Sequence, residues 1–410
     1  MDLNHGSGED IKMKKIALSR LGLITCITSF TLLLNACSQQ TSLSSQLLGN
    51  KTSRAIALPP LKKLTNLIPT KKNWQVNTGS AMGERKIHPF IKNQTIYIAG
   101  AQSVSAWNMN NGALLWKKKL AETITAGING NLANNSEKII IGSSKGNAIA
   151  LDSKTGKTLW VERLSSEILA VSPSKNGLVA LRTADGKLHA LSSQTGEIVW
   201  QRSQKSPQLS HLGASVPVIL ADKVISGFDN GKLVAYQLSN GKPQWEVTLA
   251  VPKGLTELDK IIDIDGKITV LDNALFASSL NGNASGIQGT TGNPVWLKTF
   301  STPSGLSAST NTILTRDNQG NIWKLNPQTG NPVWKMDDLQ KRQPTLPIII
   351  NEELAVAADK QGNIHWINTK KGKIVARDSS DKAGYSVAPI VNKNAIYFIG
   401  KSGILSKYSF

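Results

Sequence analysis

One phrase recurs along this chain of 410 residues at near-constant spacing, and it leaves few folds open. Its clearest copy runs from Gly146 to Trp160: Gly-Asn-Ala-Ile-Ala-Leu-Asp-Ser-Lys-Thr-Gly-Lys-Thr-Leu-Trp. Ala148 to Leu151 is an extended apolar run, Asp152 to Gly156 carries turn chemistry, and Lys157 to Trp160 leads into a second strand. The turn glycines of the series are Gly112, Gly156, Gly196, Gly241, Gly292, Gly330 and Gly372. Four residues beyond them stand Trp116, Trp160, Trp200, Trp245, Trp296 and Trp334, with Ala376 the one exception. Six of the ten tryptophans thus share one column, which assigns them a structural task.

Two further columns complete the unit. Ten residues before the turn glycine come Gly146, Gly186, Gly231, Gly282, Gly320 and Gly362, several of them in Asp-Gly or Asn-Gly hairpin dipeptides. Five residues before it stand Trp107, Leu151, Leu191, Tyr236, Ile287, Leu325 and Ile367, so one position always faces a core. Each unit holds four short antiparallel strands. From Trp74 through the six tryptophans of the column the spacings are 42, 44, 40, 45, 51 and 38 residues. Four strands in such a period, with no helical segment between, predict the blades of an all-β propeller. After Gly372 the pattern continues through Gly403 and Tyr408 to Phe410 without its last strand, and Trp74-Gln75-Val76 is a tryptophan strand with no blade before it. Joining these pieces predicts an eight-bladed β-propeller, residues 71–410, closed by N- and C-terminal strands.

The first 36 residues have the layout of a secretory signal. Lys12, Lys14, Lys15 and Arg20 precede the apolar run Leu21 to Leu34, which ends in Leu34-Asn35-Ala36-Cys37. This resembles a bacterial lipobox, with Cys37 the acylated residue and Met13 a more natural start than Met1; Ser38 stands where an aspartate would signal inner-membrane retention, which points to the outer membrane. Cys26 falls inside the apolar run, so the mature chain is expected to hold no disulfide and no cysteine-based metal site. Residues 37–70, rich in Ser, Thr and Pro and free of acidic residues, read as a flexible lipid-anchored tether whose Lys62 and Lys63 favour an anionic leaflet. The formal charge of +20 stays almost entirely on the mature chain. It fits either an acidic or lipid partner or a surface simply covered by lysine.

The phrase Ala-Leu-Asp-x-x-Thr-Gly-x-x-x-Trp resembles the blade motif of the pyrroloquinoline quinone (PQQ) type of propeller. With the lipobox, residues 37–410 resemble the BamB family of outer-membrane assembly lipoproteins, most densely from Leu209 to Asp265 and in Gly362-Asn-Ile-His-Trp-Ile-Asn368. The resemblance implies a non-catalytic scaffold at the periplasmic face of the outer membrane. It would belong to the BAM complex and bind the POTRA domains of the barrel-inserting subunit BamA. It also implies a partner contact on the loop Leu209, Ser210, His211, Leu212 and Gly213 and on the acidic pair Asp263 and Asp265. The loop departs from the family's Leu-Ser-Leu-Arg-Gly at His211 and Leu212. Leu209 and Leu212 are expected to supply an apolar anchor, and the two aspartates a charged rim whose reversal to lysine abolishes partner binding and leaves stability unchanged. Blade edges that hold nascent outer-membrane strands are a further role suggested for such propellers.

A quinoprotein dehydrogenase shares the blade motif, but such enzymes often use an adjacent cysteine pair and long insertions that this sequence lacks. Asp317 and Asp359 read as turn residues. His189 and His365 fall in one column and read as packed blade histidines, not ligands. No cofactor, metal or nucleic-acid partner is expected. A general periplasmic interaction propeller with another partner is the remaining alternative.

Overall fold

The computed structural model describes residues 58, 60–79, 86–130, 138–207, 209 and 213–410. Cys37, the signal segment, and Ser210, His211 and Leu212 lie outside the described residues. From Leu61 to Phe410 the chain forms one compact unit. Its regular structure among the described residues is eight antiparallel sheets of four strands each, the eight-bladed propeller that the repeat predicts. Blade 4 shows the plan: Val218–Leu220, Lys223–Gly227, Lys232–Gln237 and Pro243–Thr248 follow one another from the axis outwards. First strands of successive blades lie against one another and line the axis. Blade 8 is composite. Its first three strands are Ile390–Asn392, Ala395–Ile399 and Ile404–Ser409, and its outer strand is Lys71–Asn77. Lys71 pairs with Ser409 and Val76 with Leu405.

The tryptophan column holds neighbouring blades together. The Trp200 indole lies on the third-to-fourth-strand turn of the next blade, where it donates from Nε1 to the Leu238 carbonyl at 2.7 Å. A side chain at Gly241 would put its Cβ 2.6 Å from that indole, and Gly241 holds φ +69, so the position needs glycine twice over. The same contact recurs from Trp116 to the Ser153 carbonyl at 2.9 Å, from Trp245 to Gly289 at 3.0 Å and from Trp334 to Thr369 at 2.8 Å. In blades 1, 2, 6 and 7 the turn is set by Asn108, Asp152, Asn326 and Asn368, and in blade 3 by Ser192. In blade 2, Asp152 Oδ1 accepts from the backbone N–H of Lys154 at 3.0 Å and of Thr155 at 2.7 Å, and from the Thr155 hydroxyl at 2.7 Å.

The exception at Ala376 has a physical reason. Trp200 pairs across the sheet with Ala190, Trp160 with Ala150 and Trp245 with Ala235, so a large residue on the fourth strand faces a small one on the third. Blade 7 inverts the pair: Trp366 on the third strand faces Ala376 on the fourth, and Trp366 is fully buried. The next blade round the ring is blade 8, whose third and fourth strands come from distant parts of the chain, so no tight turn joins them to receive an indole. The segment Leu61–Thr70, read from sequence as the end of the tether, lies along this outer edge instead. Leu67 N–H donates to the Val375 carbonyl at 2.8 Å, and Arg377 N–H donates to Asn66 Oδ1 at 3.0 Å. Leu61 and Ile68 pack on the neighbouring cores.

Candidate functional site

In a meander blade the second-to-third-strand hairpins and the fourth-to-first connections share one face of the ring. Most hairpins there are closed by one polar side chain at a fixed position. Asp317 Oδ1 accepts from Gln319 and Asn321 N–H at 2.9 Å each, and its Oδ2 from Trp323 Nε1 at 2.9 Å. Asp359 does the same for Asn363 N–H at 2.8 Å and meets His365 Nε2 at 2.9 Å. Both are turn residues, as read from sequence. His189 and His365 are both buried on third strands, and burial lowers the His189 imidazole to about 4 against a weak opposing pull from Asp185.

Two connections on this face break the repeat, that from blade 3 to blade 4 and the longer one from blade 4 to blade 5. They meet. A Cβ on Gly213 would come within 2.9 Å of Asp265 Oδ2, so the loop and the acidic pair identified in the sequence are neighbours. The second connection threads between two hairpins: Ile264 N–H donates to the Phe228 carbonyl at 3.3 Å, and Leu280 N–H to the Asp263 carbonyl at 3.0 Å. Ile262, Ile264 and Ile268 are buried by it.

This threading corrects the expectation for Asp263. The alternation Ile-Asp-Ile-Asp suggests two outward carboxylates, but hairpins cover the connection on both sides and Asp263 is only 1% exposed. Asp265 is half-buried and closer to the rim. Asp263, Asp265 and Asp229 have carboxylate oxygens within 4.8 Å of one another. The Arg182 guanidinium reaches Asp229 Oδ1 at 3.3 Å and lies 4.1 Å from the centroid of the Phe228 ring. Burial lowers the Arg182 pKa, and Asp229 and Asp265 oppose that. Burial raises Asp229, Arg182 opposes it, and Asp265 adds to the rise. Arg182 thus pairs with Asp229 beside the two carboxylates of the connection, and Asp229 links that buried ion pair to Asp263 and Asp265.

Two large apolar side chains stand free on this face, among the exposed charged residues Lys253, Glu257 and Lys260. Leu255 is 99% exposed and Leu258 69% exposed, against 46% for Leu209. The turn that carries them is rigid. Asp259 Oδ2 accepts from Thr256 N–H at 3.1 Å and from its hydroxyl at 2.7 Å, while Asn281 Nδ2 donates to the Leu258 and Ile261 carbonyls at 3.2 and 3.1 Å. Reading the sequence missed Leu255 and Leu258, as it missed Arg182 and Asp229. The available signal was the longest tryptophan spacing, 51 residues, with two leucines three apart inside it.

A family model described as outer membrane protein assembly factor BamB matches residues 100–336. The chain belongs to the BamB family. BamB of Yersinia pestis is 28% identical over 378 residues, covering 90% of this chain and 95% of that protein. BamB of Escherichia coli K12 is 28% identical over 381 residues, covering 91% and 97%. The crystal structure of BamB from Moraxella catarrhalis superposes with a TM-score of 0.76 at 25% identity, covering 83% of this chain and all of that one. A europium-containing methanol dehydrogenase, with a TM-score of 0.63 at 15% identity, shares the ring alone. BamB membership therefore decides against the dehydrogenase reading.

Proposed function

We propose that this BamB-family chain is a scaffold lipoprotein of the outer-membrane β-barrel assembly complex. It is anchored through Cys37 at the periplasmic face of the outer membrane and binds the POTRA domains of BamA. Full-length similarity to outer membrane protein assembly factors supports the complex and the compartment. The observation that carries the partner site is one capped turn: it holds Leu255 99% and Leu258 69% exposed, on the same connection as the half-buried Asp265, which lies against Gly213 at the end of the Leu209 loop. An apolar anchor with an acidic neighbour is the form of a protein-binding hot spot. On this reading Leu209 and Leu258 share the apolar contact, Asp265 supplies the charge, and His211 and Leu212 of the same sequence motif belong to the contact. Asp263 serves by holding the connection.

Co-purification of the acylated protein with BamA from membranes tests this. Leu255→Asp with Leu258→Asp, and separately Asp265→Asn, are expected to reduce recovered partner at least tenfold, the first with an unchanged melting temperature. Full recovery with both would sink the assignment. Asp263→Lys is unsuitable for the purpose, since a lysine at a buried position next to Arg182 unfolds the connection.

A further inference from the structure

Positive charge is distributed very unevenly round the ring. Residues 71–120 and 386–410, which build blades 8 and 1, hold eleven lysines and arginines and a single acidic residue. Residues 121–385, the six other blades, hold 28 basic and 23 acidic residues. The two blades at the seam thus carry a net charge of +10, and the other six together +5. A surface covered evenly by lysine does not produce this contrast.

The same sector contains a recess of about 720 Å³ between blades 8 and 1. It lies at the ring face of the first-to-second and third-to-fourth turns, opposite the face that carries Leu255. Its walls include Asn73, Lys92, Asn110, Lys393, Asn394 and Lys407. Its cause is the closure of the ring: the other seven blades fill this place with a tight turn, whereas in blade 8 Lys71 and Ser409 pair from distant parts of the chain. Lys71 and Lys72 therefore stand at the rim of a recess that already holds three lysines. The recess walls include no acidic side chain. Lys393 is exposed, and so are Lys71 and Lys72.

We propose that this seam docks on an anionic phospholipid surface, with headgroup phosphates received by Lys71, Lys72, Lys92, Lys393 and Lys407 and by the amides between them. Lysines interleaved with asparagine amides supply point charges and neutral donors together, which suits phosphate oxygens presented by a surface. The Leu61–Thr70 segment enters the ring at Lys71; its Lys62 pairs with Asp338 at 3.7 Å on the opposite face and takes no part in the recess. Docked in this way, the ring turns its opposite face, with Leu255 and Leu258, away from the lipid.

The test is sedimentation of the unacylated chain from Ser38 to Phe410 with vesicles of phosphatidylglycerol and phosphatidylethanolamine, and with phosphatidylcholine vesicles. The expected result is binding to the anionic vesicles alone, weakened by salt. Replacing Lys71, Lys72, Lys92, Lys393 and Lys407 together by Gln is expected to weaken that binding by about tenfold or more. The same replacement at Lys145, Lys157, Lys205, Lys242 and Lys298, five exposed lysines on other blades, should change it less than about twofold on the same reasoning. Equal loss in the two variants, or equal binding to both vesicle types, overturns the proposal. If the fivefold seam variant melts early, Lys71→Glu and Lys393→Glu, at exposed positions, carry the comparison. Unchanged binding by both also overturns it.

Discussion

Replacing Trp200 by alanine removes a side chain that is only 7% exposed, donates to the Leu238 carbonyl at 2.7 Å and lies 6.1 Å from the Tyr236 ring. Burying an indole removes roughly 150 to 250 Å² from water, about 4 to 6 kcal/mol gross at 25 cal/mol/Å². Partial collapse of the site leaves an expected cost of about 3 to 5 kcal/mol for Trp200→Ala. Gly241→Ala strikes the other side of the contact. Its new Cβ would meet the indole at 2.6 Å, and φ +69 disfavours any L side chain, so about 2 to 4 kcal/mol is expected. The two losses share one cause. With the indole gone, alanine at 241 keeps only its backbone strain of about 1 kcal/mol, and the double variant should cost about 1 to 3 kcal/mol less than the sum. Reversible urea unfolding of the four proteins measures the cycle. Costs that add to within about 0.5 kcal/mol, or a Trp200→Ala cost below about 1 kcal/mol, would refute the view that indole and turn are one joint between blades.

Other consequences follow from single contacts. Ala376→Trp, which restores the residue found at six equivalent positions, is expected to destabilise by about 1 to 3 kcal/mol, because Trp366 already fills that space and no turn lies beyond it; a raised melting temperature contradicts the inverted pair. Arg182→Met leaves Asp229 buried without its cation and should cost about 3 to 5 kcal/mol in the same unfolding assay, whereas a loss under about 1 kcal/mol removes the pair from the stability of the fold. His189 is held neutral. Its folded pKa of about 4 lies below the ordinary 6.5, so its stabilising contribution is complete above pH 6.5 and drains away as pH falls towards 4. The full contribution is about 3 kcal/mol, and His189→Gln should flatten the decline of melting temperature between pH 7 and pH 4.5; an unaltered slope excludes His189 as its source.

The ring was legible in the sequence because every element that specifies it is local and repeated. A polar residue, Asp or Asn in four of the seven turns, opens the turn, glycine takes the positive φ, tryptophan follows four residues later, and a small residue such as Ala190 lies opposite it. The partner face was legible only in outline. Gly213 and Asp265 do come together, but the burial of Asp263 depends on two hairpins distant in sequence that cover both sides of its connection. Arg182 was hidden for a related reason: it occupies a strand position where its neighbours carry small or apolar residues, and only the fold brings Asp229 to it. Leu61–Thr70 has no period because it packs as a single strap on one blade edge, which leaves no repeating signature.

The composite blade imposes an order on biogenesis. The Thr78 hydroxyl donates to the Gly403 carbonyl 325 residues away, so the outermost strand of blade 8 has no partner until the last strands have been made and delivered. A chain exported amino end first must keep Lys71–Asn77 waiting while seven blades form behind it. The entropy of closing so long a loop grows only slowly with length, and the greater hazard is the waiting strand itself, an open edge that pairs with whatever strand is near. Loss of even the final strand to a protease or a premature stop leaves that edge open for good. Closure thus acts as a built-in inspection of the whole chain, passed only when both of its ends are present.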